Sequence, residues 1–323
     1  MELEKKVTSL RNNYLFIIGS FIVVAVLPIF LSKYHTILLV QALLYGMFAM
    51  SLDLIMGYAG IVSFGHGAFF GIGAYTFGLS LVKGGFSIWM ALAFVIIITS
   101  FYGYLVGYFS SRLKGIYFAI LTLAFAEVVY RIVFYSDFTG GSDGLIGIPN
   151  LPLSIKGIFS ISIDTPQRFC YFTLIVVFLS YLILRKITIS PFGKVLEAIR
   201  ENEERSGFLG FNVNQYKIIS FVVSGCFAGL SGALYSFFMG FADPEQLHFM
   251  LHGKVVIMVL LGGMGTLVGP IIGGMFVTIF EIIMSHYTKS FMIIVGLTFI
   301  FVVIFMPEGF AGAIRNRFSK YLE

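Results

Sequence analysis

The 323-residue chain is 58% hydrophobic and only 11% charged, with a mean hydropathy of +0.95. Soluble domains carry about 25% charged residues, so composition excludes one and marks a polytopic membrane protein. The formal net charge of +5 reflects basic residues gathered at one membrane face rather than an acidic partner.

A helix needs about 20 apolar residues to cross the hydrocarbon core. Such runs lie at about 14–31, 37–56, 61–82, 87–111, 115–135, 168–187, 215–241, 249–262, 267–285 and 290–307. They predict an all-α fold of about ten transmembrane helices in a single domain spanning 1–323. The first run follows a basic N-terminus as a signal peptide would, yet it lacks an A-x-A-like cleavage site and is long enough to span, so it reads as a helix.

With an even number of spans and a cytoplasmic N-terminus, Lys5, Lys6, Arg11, Arg112, Lys114, Arg185, Lys186, Lys194, Arg200, Arg205, Lys217, Arg315, Arg317 and Lys320 all fall inside. Lys33, Lys83, Lys156, Arg168, Lys254 and Lys289 fall outside. This agrees with the positive-inside rule and places both termini in the cytoplasm.

Glycines crowd the stretch from Gly57 to Gly78 and recur at Gly262, Gly263, Gly265, Gly269, Gly273 and Gly274. Small residues let helix backbones approach closely, so packing is their first expected role. Broken or re-entrant helices are the second, because such backbone is tolerated where protein or a watery path surrounds it. The pair Gly57-Tyr58-Ala59-Gly60 and Gly262-Gly263-Met264-Gly265 hints at an internal duplication. Ser63, Gly65, His66 and Gly67 in the first cluster, with Gly262, Gly263 and Gly265 in the second, are candidates for a translocation pathway.

Charges inside spans cost about 2.5–3.5 kcal/mol each and need an account. Glu127 and Arg131 stand at i, i+4 in the favourable order and predict an intramembrane ion pair. Asp53 and Glu281 have no cation nearby in sequence, but each lies near a span end, where water is expected to reach it. The loop at about 136–167 is rich in Gly, Pro, Ser and Asp, and reads as the large external connection.

Ser190–Gly210 is the one densely charged segment. Ser190 and Pro191 read as an N-cap and first helical residue, and Gly207 and Gly210 as stop signals. Phe192, Val195, Leu196 and Ile199 form an apolar stripe, while Lys194, Glu197, Arg200, Glu201, Glu203, Glu204 and Arg205 take the other faces. The segment therefore predicts one short amphipathic helix at about 190–210 outside the bilayer, either solvated or docked on a partner.

His248 and His252 stand at i, i+4, but no Glu follows the first, so the zinc-protease pattern fails. Cys170 and Cys226 lie within spans and imply no disulfide framework. The chain lacks a G-x-x-x-x-G-K-[ST] loop, a nucleophile elbow and a dinucleotide fingerprint. It is expected to bind no nucleotide, metal or other cofactor itself and not to be an enzyme.

Five segments in order carry a resemblance: SLDLIMGYAGIVSFGHGAFFGIGAY, KGIYFAILTLAFAE, TGGSDGLIGIP, SPFGKVLEAIRENEERSGFLGFNVNQYK and VVIMVLLGGMGTLVGPIIGG. Together they resemble the permease of branched-chain amino acid ABC transporters, and its M-type (LivM-like) member more than its H partner, over Leu38–Gly309. The resemblance implies a type II ABC importer-like permease in a bacterial inner membrane. It also implies a second permease, two cytoplasmic ATPases binding ATP and Mg, and an external solute-binding protein.

In that family the segment matching 190–210 is the cytoplasmic coupling helix. The resemblance thus makes Glu197, Arg200, Glu201, Glu203, Glu204, Arg205, Gly207 and Gly210 the candidate ATPase-coupling residues. The stretch EAIRENEERSG departs from the E-A-A-x-x-x-G spacing of other importers, so individual contacts do not carry over. Two alternatives stay open: the same machinery importing urea, short amides or another small solute, and an ion-coupled transporter using Asp53 or Glu281.

Overall fold

The computed structural model describes residues 19, 21, 24–155, 159–288, 290–305 and 309–310. Both termini, residues 14–18, 20, 22 and 23 of the first apolar run, and Lys156 and Lys289 lie outside the described residues. Lys5, Lys6, Arg11, Arg315, Arg317 and Lys320 lie outside them as well.

Residues 24–30 are helical. They lead into α1 (Lys33–Asp53), which passes without interruption into a π turn, Leu54–Tyr58. There follow α2 (Gly67–Val82), α3 (Ile88–Ser110), α4 (Ile116–Tyr135), α5 (Pro166–Ile189), α6 (Pro191–Glu201), α7 (Glu203–Phe208), α8 (Val213–Met239), α9 (Phe249–Gly262), α10 (Val268–Tyr287) and α11 (Phe291–Phe305). Among the described residues six helices are long and apolar enough to cross a membrane: α1 with its π turn, α3, α4, α5, α8 and α10. The apolar helices α2 and α9 are shorter. The chain is a multi-pass helical membrane protein.

Local signals set the helix starts. Ser32, Ser87, Thr165 and Asn212 cap α1, α3, α5 and α8 by accepting from a backbone N–H three residues on. Gly240 closes α8 with φ 76°, a left-handed conformation that a Cβ disfavours.

Helix α1 is the hub, packing on α5, α8, α9 and α10, while α8 also packs on α2 and α3. Lipid offers helices no hydrophobic drive to associate, so close backbone approach and hydroxyl contacts must hold them. Both are present. A Cβ at Gly274 of α10 would stand 2.7 Å from Gly46 Cα of α1, and Gly73 of α2 meets Gly229 of α8 with equally little room. Along α8, Ser224 donates to the Ser51 carbonyl, Ser231 to Leu44 at 2.6 Å and Ser236 to Ala74 at 3.2 Å. The glycines at these contacts have the packing role expected of them.

The long loop holds two small antiparallel ladders that the all-helical expectation did not include. β1 (Leu145–Ile146) pairs with β4 (Phe241–Ala242), and β2 (Leu153–Ile155) with β3 (Phe159–Ile161). The first ties the loop to the far end of α8. The ladders are too short for sequence periodicity to signal, because each contains only two or three residues.

Candidate functional site

The charged segment sits at the opposite end of α8 from those ladders and is not one helix. It is broken at Asn202, which has extended φ/ψ of −158° and 105° and accepts the Arg205 N–H at 2.8 Å through Oδ1. Asn202 thus caps a second, six-residue helix whose first turn carries Glu203 and Glu204. The expectation of a single helix is corrected: an internal asparagine cap outcompetes continuation. Gly207 lies inside α7 rather than ending it, whereas Gly210 takes the expected left-handed φ of 92°. Pro191 opens α6 as expected, but Ser190 Oγ donates back to the Ile187 carbonyl at 2.6 Å instead of capping forward.

The apolar stripe of α6 is used as its spacing predicts. Val195, Leu196 and Ile199 are buried, Phe192 is half-buried and stacks on Tyr216 of α8, and Gly193 lies tight against Thr188. The helix pair is therefore fixed to the transmembrane body.

Arg200 makes the main polar connection. Its Nη1 donates to the Gly57 carbonyl in the π turn, its stem passes Gly60, where a Cβ would lie 2.8 Å from Arg200 Cγ, and Nη1 would stand 3.4 Å from a Cβ on Gly265. Gly265 belongs to the turn between α9 and α10, and that turn is held by Asp53. Asp53 Oδ1 accepts the Gly265 N–H at 2.7 Å and Oδ2 the Leu267 N–H at 3.0 Å. Leu267 has φ 58°, a left-handed conformation costing a branched residue about 1–2 kcal/mol, and the carboxylate contacts offset it. The two glycine motifs thus touch: Gly57 and Gly265 face each other with no room for a side chain at Gly57, and Arg200 spans both.

Asp53 is fully buried, which corrects the expectation that water reaches it. Its oxygens are committed to backbone N–H groups, and the Arg200 charge attracts it across the turn.

The remaining charges divide in two. Glu203 pairs with Lys217 at 2.9 Å, the lysine side chain only 4% exposed. Glu204 pairs with Lys114 at 3.2 Å and Glu197 with Lys194 at 2.8 Å, both on the surface. Surface pairs contribute little stability, whereas breaking the Lys217 pair leaves a buried charge. Among the described residues Glu201 and Arg205 make no ion pair. A cavity of about 520 Å³ lies between α6, the 59–64 segment and the start of α4, with Arg200, Glu203 and Lys217 on its polar wall.

Sequence reasoning concentrated on charge and missed Phe208 and Leu209. They are 90% and 70% exposed at the tip of α7. Two large apolar side chains between Gly207 and Gly210, in a segment otherwise charged, were the available signal.

The pathway candidates lie inside the chain. Ser63 and His66 are buried. His66 Nε2 is 3.0 Å from Ser51 Oγ, and the Phe48 ring lies parallel to the imidazole at 5.5 Å. Gly65 presses on Thr122 of α4 and Gly67 on His252 of α9. Gly262 meets Gly269 across the α9–α10 turn, Gly263 (φ 104°) opens that turn, and Gly265 follows. His248 packs on Tyr130.

Glu127 and Arg131 form the expected pair at 2.7 Å, both on the exposed face of α4. Glu281 finds a cation that is distant in sequence, Lys254 of α9.

A sequence profile described as "Branched-chain amino acid transport system / permease component" matches residues 34–303. The high-affinity branched-chain amino acid transport system permease protein LivM of Salmonella typhimurium is 28% identical, the alignment covering 91% of this chain and 74% of that protein. Its namesake in Escherichia coli K12 gives the same figures. The permease LivH of E. coli K12 is 27% identical over 83% of this chain and 91% of its own length. No solved structure matches the chain.

Proposed function

The chain belongs to the family of branched-chain amino acid transport permeases, and on that premise we propose that it is the M-type permease of an ATP-driven importer for branched-chain amino acids. Its partners in this reading are a second, different permease chain, two ATPases carrying ATP and Mg, and an external binding protein. The relatives named LivM and LivH, each called a permease of one transport system, support the paired permeases. The membrane is the bacterial inner membrane, with Ser190–Gly210 and both termini on the cytoplasmic side, as the basic residues favour.

The observation that carries the reading is the Arg200 connection. A helix pair outside the spans is tied by one guanidinium to the π turn of α1, and by contact to the Asp53-held turn between α9 and α10. Closure of an ATPase dimer beneath α6 and α7 then displaces both glycine turns together. With them move α2 and α9, the shorter helices that adjoin those turns. Switching a two-state transporter from 1:99 to 99:1 requires about 5.5 kcal/mol of differential binding, within reach of two nucleotides clamped between subunits. Glu201, Arg205, Phe208 and Leu209 supply the ATPase-facing surface, the charges setting register and the apolar pair filling a groove. Glu197, Glu203 and Glu204 act through their lysine partners, holding that surface in place.

The test is reconstitution of the complete complex in proteoliposomes with labelled leucine, isoleucine and valine. Uptake that requires both ATP and the binding protein supports the reading. Accumulation of urea or short amides in place of these amino acids, or uptake driven by a proton gradient without ATP, refutes it.

A further inference from the structure

Two charges meet between α9 and α10 where neither glycine turn nor coupling helix accounts for them. Lys254 stands in the second turn of α9 and Glu281 past the middle of α10. They form an ion pair, with side chains 22% and 21% exposed. Ionisable groups at such positions are expensive and call for a function.

Their surroundings suit a small charged guest. Lys254 Nζ lies 4.7 Å over the Tyr45 ring, and Tyr45 in turn packs against Tyr235 at 5.3 Å. Thr278, one turn before Glu281 on the same face of α10, is 2% exposed, and its Oγ1 has no hydrogen-bond partner among the described residues. Gly253, next to Lys254, borders open space, with no atom within 4 Å of where its Cβ would be. A cation, an anion and an aromatic ring thus gather where both charged side chains remain about one-fifth exposed.

We propose that Lys254 and Glu281 form a station for a zwitterion, an inference that rests on the amino acid importer reading. The ammonium of the passing amino acid takes the place of Lys254 on the Glu281 carboxylate. Its carboxylate accepts from the Lys254 ammonium, and its aliphatic side chain lies against the Tyr45 ring. When the cargo leaves, the two residues pair again, so no buried charge is uncompensated at any stage. A zwitterion entering a low-dielectric span needs both counter-charges at once. Urea and simple amides need neither, so the station selects cargo as well as easing its passage.

The experiment compares wild-type complex with the matched neutral pair Lys254→Met/Glu281→Gln in proteoliposomes. Leucine uptake and ATPase activity stimulated by the binding protein are measured together. The expected result is a loss of uptake of about a hundredfold with stimulated ATPase changed less than about twofold, since the variant loses two charge-assisted contacts and each removes roughly a factor of ten. Unchanged uptake overturns the proposal, because a pair kept for packing alone tolerates neutral replacement. If the double variant does not assemble, Gly253→Cys in a Cys170→Ala/Cys226→Ala background replaces it. Leucine turnover is expected to slow thiol labelling at position 253, and unchanged labelling overturns the proposal. Wild-type complex that moves no amino acid at all refutes the importer reading instead, so the two failures are distinguishable.

Discussion

Arg200 donates to the carbonyl of Gly57, a residue 143 positions away in the chain, and so joins the amphipathic helix α6 to the π turn of α1. Arg200→Met removes this link while leaving the apolar stripe of α6 in place. It is expected to cut leucine uptake about tenfold or more while the ATPases still copurify, because the surface they meet is unaltered. Charge reversal at Glu201 and Arg205 is expected to do the opposite, losing the ATPases from the complex. A pull-down paired with uptake separates the two, and loss of the ATPases from Arg200→Met would place Arg200 on the docking surface instead.

Gly57→Ala tests the meeting of the two glycine turns. The new methyl would strike the Asp53 carboxylate and the Gly265 nitrogen, so it should cost about 1–3 kcal/mol as overpacking. Gly253→Ala meets open space on a helix and should be neutral or gain up to about 1 kcal/mol. Thermal denaturation of the detergent-solubilised protein ranks them, and equal melting temperatures would contradict the packing described.

Asp53→Asn distinguishes a structural clamp from an ion site. The amide offers one acceptor oxygen to two backbone donors, leaving one unsatisfied at a cost of about 1–3 kcal/mol. Lower stability, with residual uptake still ATP-dependent and insensitive to protonophores, is the expected outcome. Full stability with abolished uptake would revive the ion-coupled alternative.

The buried Lys217–Glu203 pair is expected to show strong coupling. Glu203→Gln alone strands the buried Lys217 ammonium and should cost about 3–5 kcal/mol, whereas Lys217→Met/Glu203→Gln should recover most of it. A double-mutant cycle on unfolding measures the difference, and additive effects would show that the pair is not coupled.

Glu127 and Arg131 stand on an outward face of α4, with side chains 39% and 57% exposed. Lipid is a poor neighbour for them, so this face should meet the second permease or a watery path. Val128→Cys, 57% exposed on the same helix, is expected to cross-link to the partner permease. Phe101→Cys, on the charge-free exposed face of α3, should not. The reverse pattern would assign the interface to α3.

Much of this arrangement was legible before the structure. Pro191, the stripe Val195–Leu196–Ile199 and the Glu127–Arg131 pair follow from helical spacing, and glycine composition announced close packing. Asn202 was legible in principle, since Asn followed by two glutamates is a cap signal, but the longer amphipathic run masked it. The destinations of Arg200, Asp53 and Glu281 were not legible. Each finds its partner through tertiary contact, which no local pattern encodes.

The bare tip at Phe208 and Leu209 has a consequence for biogenesis. In the importer reading, a subunit made without its ATPase carries an uncovered greasy handle, the kind of feature that chaperones and membrane proteases recognise. Its steady-state amount should therefore track the supply of its partner, and polar replacement of both residues should let the orphan subunit persist.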